Sequence, residues 1–368
     1  MKIGVLTSSR ADFGIYLPLL SKLKADNSYQ LEIIAFGTHL SRFHGYTLNF
    51  IEREGFDTIH KISTILTNDD EHSISTAFGL TALKFSDFWS DHNYDIVFCL
   101  GDRFEMCAAV QAAIPFGVRF SHLHGGETTL GAIDNIYRHQ ISLASTYHFT
   151  ATKEFSERVE EITGQRDHIY NVGSLSLDGI ENISFLSEIE FREKYNITGD
   201  FGLVTFHPET ISSSQNVEYV KEMKAGLSKV LDLVGLVITM PNADTLGTVY
   251  RDALQQLQKV YPSRVILIEN FGKMNYFAAM HYSRFLLGNT SSGIIEAASF
   301  RKYVVNVGDR QKGRAQSMNL INCKFLANEI FESSKQALAL GDYLGNNVYY
   351  QSGTADKIIE VLNKLSYA

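Results

Sequence analysis

Proline and cysteine are scarce in this chain of 368 residues, with five and three copies respectively, and the only tryptophan is Trp89. Few prolines, together with 45% hydrophobic and 20% charged residues, exclude long disordered tails and describe a compact globular protein. Cys99, Cys107 and Cys323 are an odd number in mostly apolar surroundings. They exclude a disulfide framework and a zinc quartet, and read as reduced core thiols. Long hydrophobic runs are also missing: charge or glycine interrupts every one well short of the ~20 residues of a transmembrane helix. The opening MKIGVLTSSR has a four-residue apolar run, too short for a secretory segment, and reads as a buried first strand. The expectation is a soluble cytoplasmic protein without a membrane partner. Positive charge is in deficit, 33 Lys and Arg against 41 Asp and Glu, for a net charge of −8. That excludes a nucleic-acid-coating surface but not an anionic small molecule held by a few arginines in a cleft. No Walker A sequence, no G-x-G-x-x-G after the first strand and no G-x-S-x-G elbow occurs, which argues against NTP hydrolysis, dinucleotide redox chemistry and serine hydrolysis.

What is present is a rhythm. Short β-branched and aromatic runs at 2–7, 31–37, 95–102, 117–123 and 147–152 alternate with helical patterns, and a second series follows at 202–208, 235–242, 264–270, 284–289 and 303–308. Several are apolar on both faces, as parallel strands covered on two sides must be. The pattern predicts an α/β protein of two Rossmann-like doubly wound lobes, 1–172 and 173–352, with a C-terminal helix over 353–368 packing back on the first. Ligands of open α/β sheets bind beyond the C-terminal strand ends, so the active site is expected in the cleft between the lobes.

Five polar clusters fall at those strand ends. In TSSRADFG, Asp12 or Ser9 reads as a helix cap, whereas Arg10, a cation beside a helix N-terminus, calls for an anion between them. In GNTSSGIIE, Ser291, Ser292 and Gly293 open a helix fit for a phosphate, and Glu296 suits either a capping box or a ribose diol. NVGDRQKGR places Arg310, Lys312 and Arg314 on one loop, either a diphosphate partner or a solvated turn. LGDRFE sends Asp102 and Arg103 out at a core edge as an ion pair or as a base beside a sugar. His207, in TFHPET, is a structural hydrogen-bonding residue or a catalyst. Asn242 in PNADT and Phe271 in NFGKMNYF are candidates to hold a base ring and sugar. SHLHGGETTLGAID (121–134) raises three readings: a metal site on His122 and His124, an acid/base site, or a polar turn.

In order along residues 8–314, SSRADFG, GTHLS, GDRFE, HLHGGETTLGAIDNIYRH, FHPET, PNADT, GNTSSGIIE and NVGDRQKGR resemble the UDP-N-acetylglucosamine 2-epimerase family, in its hydrolysing branch of bacterial sialic acid synthesis. The resemblance implies a GT-B-like pair of lobes. It also implies a UDP-sugar substrate, anti elimination of UDP to 2-acetamidoglucal, and hydration to N-acetylmannosamine. By motif, Asp102 and Asp134 resemble acid/base carboxylates and His207 the histidine near the leaving group. Arg10, Ser291, Ser292, Arg310 and Arg314 would hold the diphosphate, Glu296 the ribose, and His39, Arg103, Arg138 and His139 are candidates around the substrate. Much of the family carries a catalytic glutamate at the position of His124. Here either His124 takes the acid/base role or Glu127 supplies the carboxylate, with Glu127 the preferred participant. No metal or cofactor is implied, and a homodimer or homotetramer is. The alternatives are a hydrolysing epimerase of UDP-2,4-diacetamido-2,4,6-trideoxyglucose, a non-hydrolysing epimerase, a GT-B glycosyltransferase and a non-catalytic UDP-sugar sensor.

Overall fold

The computed structural model describes residues 1–42, 45–66, 68, 70–130, 133–209, 215–241 and 247–366. They form two units, one of Met1–Glu127, Asp134–Gly179 and Tyr349–Ala368, the other of Thr128–Ile133 and Ile180–Val348. No helix among the described residues is long and apolar enough to cross a membrane.

The first unit is built on seven strands, β1 Lys2–Thr7, β2 Gln30–Phe36, β3 Thr58–Ile62, β4 Ile96–Leu100, β5 Phe120–Leu123, β6 Tyr147–Thr150 and β7 Ile169–Asn171. They pair in the order β3-β2-β1-β4-β5-β6-β7, with every neighbour parallel. Alternate residues along each strand enter different cores, as the period of two requires. Ile3, Val5, Ile33 and Phe98 join Phe13, Tyr16 and Leu19 of the helix Arg10–Ala25. Leu6, Ile34, Val97 and Cys99 join Phe85 and Trp89 of the helix Glu71–Asp91 and Met106 and Val110 of the helix Phe104–Ala112. The helices that follow β1 and β4, adjacent strands, therefore cover opposite faces. Their connecting loops diverge and leave the switch-point crevice of a doubly wound sheet.

The second unit repeats the plan with β8 Phe201–Thr205, β9 Gly235–Thr239, β10 Val265–Ile268, β11 Leu286–Gly288, β12 Val304–Val307 and β13 Leu320–Cys323, ordered β10-β9-β8-β11-β12-β13 and parallel throughout. Here the switch point lies between β8 and β11. The helix Asn216–Val230 after β8 packs with Val204 and Leu236, whereas Ala297 and Phe300 after β11 pack with Leu203 and Val237 on the other face.

Three boundaries differ from the sequence reading. The first unit runs on to Gly179 because Val172 and Leu175 lie in its core and Ser174 donates its N–H to Tyr349 O at 2.8 Å. The chain rejoins it at Tyr349, whose fully buried ring sits 6.0 Å from that of Phe155. Ile358, Val361 and Leu362 of the last helix, Thr354–Ser366, then complete the first core, each such burial contributing roughly 1.5–3 kcal/mol. The third difference is the excursion Thr128–Ile133, taken by sequence as part of the first lobe. Eight of the ten expected strands ran past the observed C-terminal ends, so Asp102 and His207 stand in loops beyond β4 and β8 and not on strands.

At the end of β11, Gly288 has φ +141°, and a Cβ there would stand 1.8 Å from Thr205 O. Gly288→Ala should therefore cost about 3 kcal/mol or more, read as a lowered denaturant midpoint for the second unit.

Candidate active site

The loop after β1 explains its own sequence. Ser9 caps the helix Arg10–Ala25 in a capping box with Asp12, whose Oδ2 accepts from Ser8 N at 2.7 Å, Ser9 N at 3.0 Å and Ser8 Oγ at 3.0 Å. Burial pushes the Asp12 carboxyl upward, against the charge of Arg103 and these donors. Asp12 thus serves the helix end, and half-buried Arg10 lays its guanidinium 4.8 Å from the centre of the Phe50 ring. His39, a candidate for substrate, is buried with both ring nitrogens engaged, Nε2 to Thr7 Oγ1 and Nδ1 to Thr47 Oγ1, each at 2.9 Å. Burial lowers its pKa to about 4, so the ring is neutral.

The next switch-point loops gather the ionisable groups. His122, on β5, donates from Nε2 to Gly101 O at 2.9 Å, because a carbonyl only accepts, and its Nδ1 accepts from Ser142 Oγ at 3.0 Å. Both nitrogens are occupied, and burial lowers its pKa to about 3. His124 differs. Its backbone sits at φ +62°, a left-handed conformation uncommon for a residue with a Cβ, and its Nδ1 meets Glu127 Oε1 at 2.7 Å. A carboxylate cannot donate, so Nδ1 carries the proton of this contact and Nε2 is the ring nitrogen turned away from Glu127.

Beneath them lies Arg138, from the helix Asp134–Leu143, only 2% exposed. Its Nη1 donates to His124 O at 2.7 Å and stands 3.6 Å from Glu127 Oε2, while its Nη2 pairs with Asp102 Oδ2. One guanidinium thus ties the ends of β4 and β5 to the helix that follows. The sequence reading named Arg138 as a candidate around the sugar; its side chain is buried beside the two carboxylates. Asp134 opens the same helix one turn earlier, half-buried, and His139 Nε2 pairs with Asn135 Nδ2 at 3.1 Å. Arg103 donates to the fully buried Glu105 at 2.9 Å.

In the second unit the switch point is organised by Asn289, wholly buried and not singled out by the sequence reading. Its side chain serves both main-chain groups of His207, accepting from N at 2.7 Å and donating to O at 2.8 Å. Its carbonyl accepts from Arg310 Nη1 at 3.2 Å and Gln311 Nε2 at 2.9 Å. Burial, assisted by the charge of Arg310, lowers the His207 pKa to about 3. Arg310 and Arg314 share one turn, closed by Lys312 N to Asp309 O at 3.0 Å and Arg314 N to Gln311 O at 3.3 Å. Leu130 donates its N–H to Lys312 O at 2.9 Å.

The phosphate-like motif forms a short helix, Ser291–Ile295, without a side-chain cap from Thr290. The capping-box reading of Glu296 fails because Glu296 follows that helix and does not occupy its first turn. Ser292 Oγ is 2.6 Å from Tyr276 OH, Gly293 packs against Val304, and Glu296 is buried. Phe271 lies in an aromatic core, 4.7 Å from Tyr195 and 6.0 Å from Phe191 between ring centres. Asn242 lies outside the described residues. Among the described residues, no group of three or more His, Cys, Asp or Glu side chains is arranged to hold a metal ion.

Two doubly wound parallel sheets with polar side chains gathered at their switch points define an α/β protein of the Rossmann-like, ligand-binding type. A family profile described as UDP-N-acetylglucosamine 2-epimerase matches residues 21–363, and the chain belongs to that family of enzymes. It is 34% identical over 325 residues to the GDP/UDP-N,N'-diacetylbacillosamine 2-epimerase (hydrolyzing) of Campylobacter jejuni, covering 87% of this chain and 84% of that one. It is 32% identical over 331 residues to the polysialic acid biosynthesis protein P7 of Escherichia coli, covering 89% and 84%. The crystal structure of UDP-GlcNAc 2-epimerase from Neisseria meningitidis bound to UDP-GlcNAc has the same fold, with a TM-score of 0.81, 17% identity, and coverage of 99% of this chain and 100% of that one.

Two outcomes follow from this geometry. Arg138→Ala, by leaving Glu127 buried without its cation, should cost about 3 kcal/mol of stability, measured by chemical denaturation, with turnover lost well below the unfolding transition. The second concerns pH. His39, His122 and His148 have pKa values lowered to about 4, about 3 and about 4 by burial, against an ordinary 6.5. The unfolded chain therefore binds more protons as pH falls below about 6.5, and the first unit should lose stability progressively from there toward pH 3. Melting temperatures across that range would check it, with a shallower decline in His148→Asn.

Proposed function

We propose that this enzyme is a hydrolysing 2-epimerase of UDP-N-acetylglucosamine, releasing UDP and N-acetylmannosamine. The observation that carries this reading is the 2.7 Å contact of His124 Nδ1 with a buried carboxylate, Glu127, which leaves Nε2 as a base fixed in tautomer and direction. In the proposed elimination, Nε2 takes the C2 proton, the C2–H electron pair becomes the C1=C2 bond, and UDP departs with the C1–O pair. Water then adds its oxygen to C1 and a proton is returned to C2 on the opposite face, with Asp102 and Asp134 as the acid/base carboxylates. This revises the preference for Glu127. A carboxylate engaged by both His124 and Arg138 is better suited to orienting a base than to being one.

The leaving diphosphate falls to the second unit, on Ser291, Ser292, Arg310 and Arg314. A neutral His207 would assist as an N–H donor, and UDP needs no proton from it to leave. Glu296 suits the ribose diol. The proposed chemistry uses guanidinium groups where other enzymes use a metal. A cytoplasmic homodimer or homotetramer accords with the family resemblance. The second reading, a 2,4-diacetamido-2,4,6-trideoxy substrate, draws on the 34% identity to the Campylobacter jejuni enzyme.

Proton NMR in D2O should find free UDP and N-acetylmannosamine deuterated at C2; an inert substrate, or product carrying only protium there, ends the proposal. Running the diacetamido substrate alongside decides between the readings by relative kcat/KM. His124→Ala should lower kcat about a thousandfold, and Glu127→Gln about tenfold, since a carboxamide oxygen still accepts from Nδ1. The reverse ranking would return the proton to Glu127.

A further inference from the structure

Glu209, in the FHPET motif, has no part in the chemistry above, yet it is a carboxylate only 3% exposed in the second unit. Ionising a buried carboxyl costs free energy that a hydrophobic side chain of similar size would not, so its surroundings call for an account. Its Oε1 accepts the Asp309 N–H at 3.0 Å, and the Arg310 N–H also bonds the same carboxylate. Successive backbone N–H groups form the kind of concavity that ordinarily receives an external anion. Here the chain's own side chain fills it.

The fit is made from both sides. A Cβ at Gly308, φ +76°, would stand 2.5 Å from Glu209 Oε1 and 2.9 Å from Phe325, so only glycine lets the carboxylate come this close. The main chain of Glu209 is itself gripped by buried Asn216, whose Oδ1 accepts its N–H at 3.1 Å and whose Nδ2 donates to its carbonyl at 2.9 Å. Tyr250 OH steadies Asn216 Oδ1 at 3.0 Å. Burial raises the Glu209 carboxyl, opposed by the two backbone donors and by the charge of Arg310.

We propose that Glu209 is a positioning residue for the leaving-group loop, fixing residues 308–311 so that the loop's guanidinium groups, and not its backbone N–H groups, meet a nucleoside diphosphate. The inference rests on the assignment of the Arg310 and Arg314 loop to the diphosphate. With the backbone donors of Asp309 and Arg310 taken by Glu209, and Arg310 also braced on Asn289 O at 3.2 Å, the guanidinium is aimed from two fixed points.

The test compares UDP with uridine by isothermal titration calorimetry on the full chain. Glu209→Ala should weaken UDP binding roughly tenfold, as for loss of a charge-assisted hydrogen bond, and leave uridine unchanged. Glu209→Gln, which keeps the shape and one acceptor, should fall between Ala and wild type and carries the test if Glu209→Ala does not fold. Equal losses for UDP and uridine, or wild-type UDP affinity in both variants, overturn the role of Glu209. Arg310→Ala separates that failure from failure of the underlying assignment: if it weakens UDP but not uridine, the loop holds the diphosphate whatever Glu209 does. If wild type binds uridine as tightly as UDP, the assignment itself is wrong and this inference goes with it.

Discussion

The guanidinium of Arg138 is the contact on which the first unit's site depends. It is buried, planar and permanently charged, and it spans distances that no lysine ammonium could serve at once. Two of its nitrogens reach one carboxylate at the end of β4, one at the end of β5 and the carbonyl of His124. Without it, Glu127 would be a buried carboxylate that has lost its guanidinium counterion. With it, the left-handed turn at His124 is pinned from its carbonyl, and the imidazole cannot swing without breaking its bond to Glu127. Geometry that a loop would not hold by itself is held by charge.

The second unit meets the same requirement with an uncharged side chain at its centre. Asn289 uses a neutral carboxamide to match both backbone groups of His207, and its own carbonyl receives two side chains from the loop after β12. The difference suits the two roles proposed. A site that moves protons needs groups whose charges constrain one another, whereas a site that receives a polyanion needs a fixed backbone on which its cations are mounted. Glu209 serves that backbone, accepting the N–H of Asp309 at the start of the loop.

Much of this was legible in the sequence. Ten of the thirteen strands were found from apolar runs, because parallel strands buried on both faces leave a strong signal, and β7 was read in HIYNVG at the lobe boundary. The edge strands β3 and β13 were missed because TIHKI and LINC are only partly buried and mix polar with apolar residues. The residues at the switch points were named from their motifs, but their partners were not. Arg138 was named around the substrate from its motif, but its depth beneath Asp102 and Glu127 shows only in three dimensions. His39 and Phe271 were named as binding residues, and their burial within their own units shows only in three dimensions. Asn289 stood unremarked inside GNTSSG, although a carboxamide directly after a strand-ending glycine is the signal that would have found it.

The three-part make-up of the first unit has a consequence for how the chain is made. Its opening strands are synthesised first, but the helix Thr354–Ser366 that closes its core follows the whole of the second unit. During translation the second unit has its entire sequence available before the first has its last helix, reversing the usual order in which N-terminal domains finish early. Until that helix arrives, the apolar face formed by Tyr16, Leu19 and Leu23 has no cover from Ile358 and Leu362. The part of the protein that emerges first is therefore the longest exposed to aggregation, and a ribosome that stalls late leaves a complete second unit joined to an unfinished first.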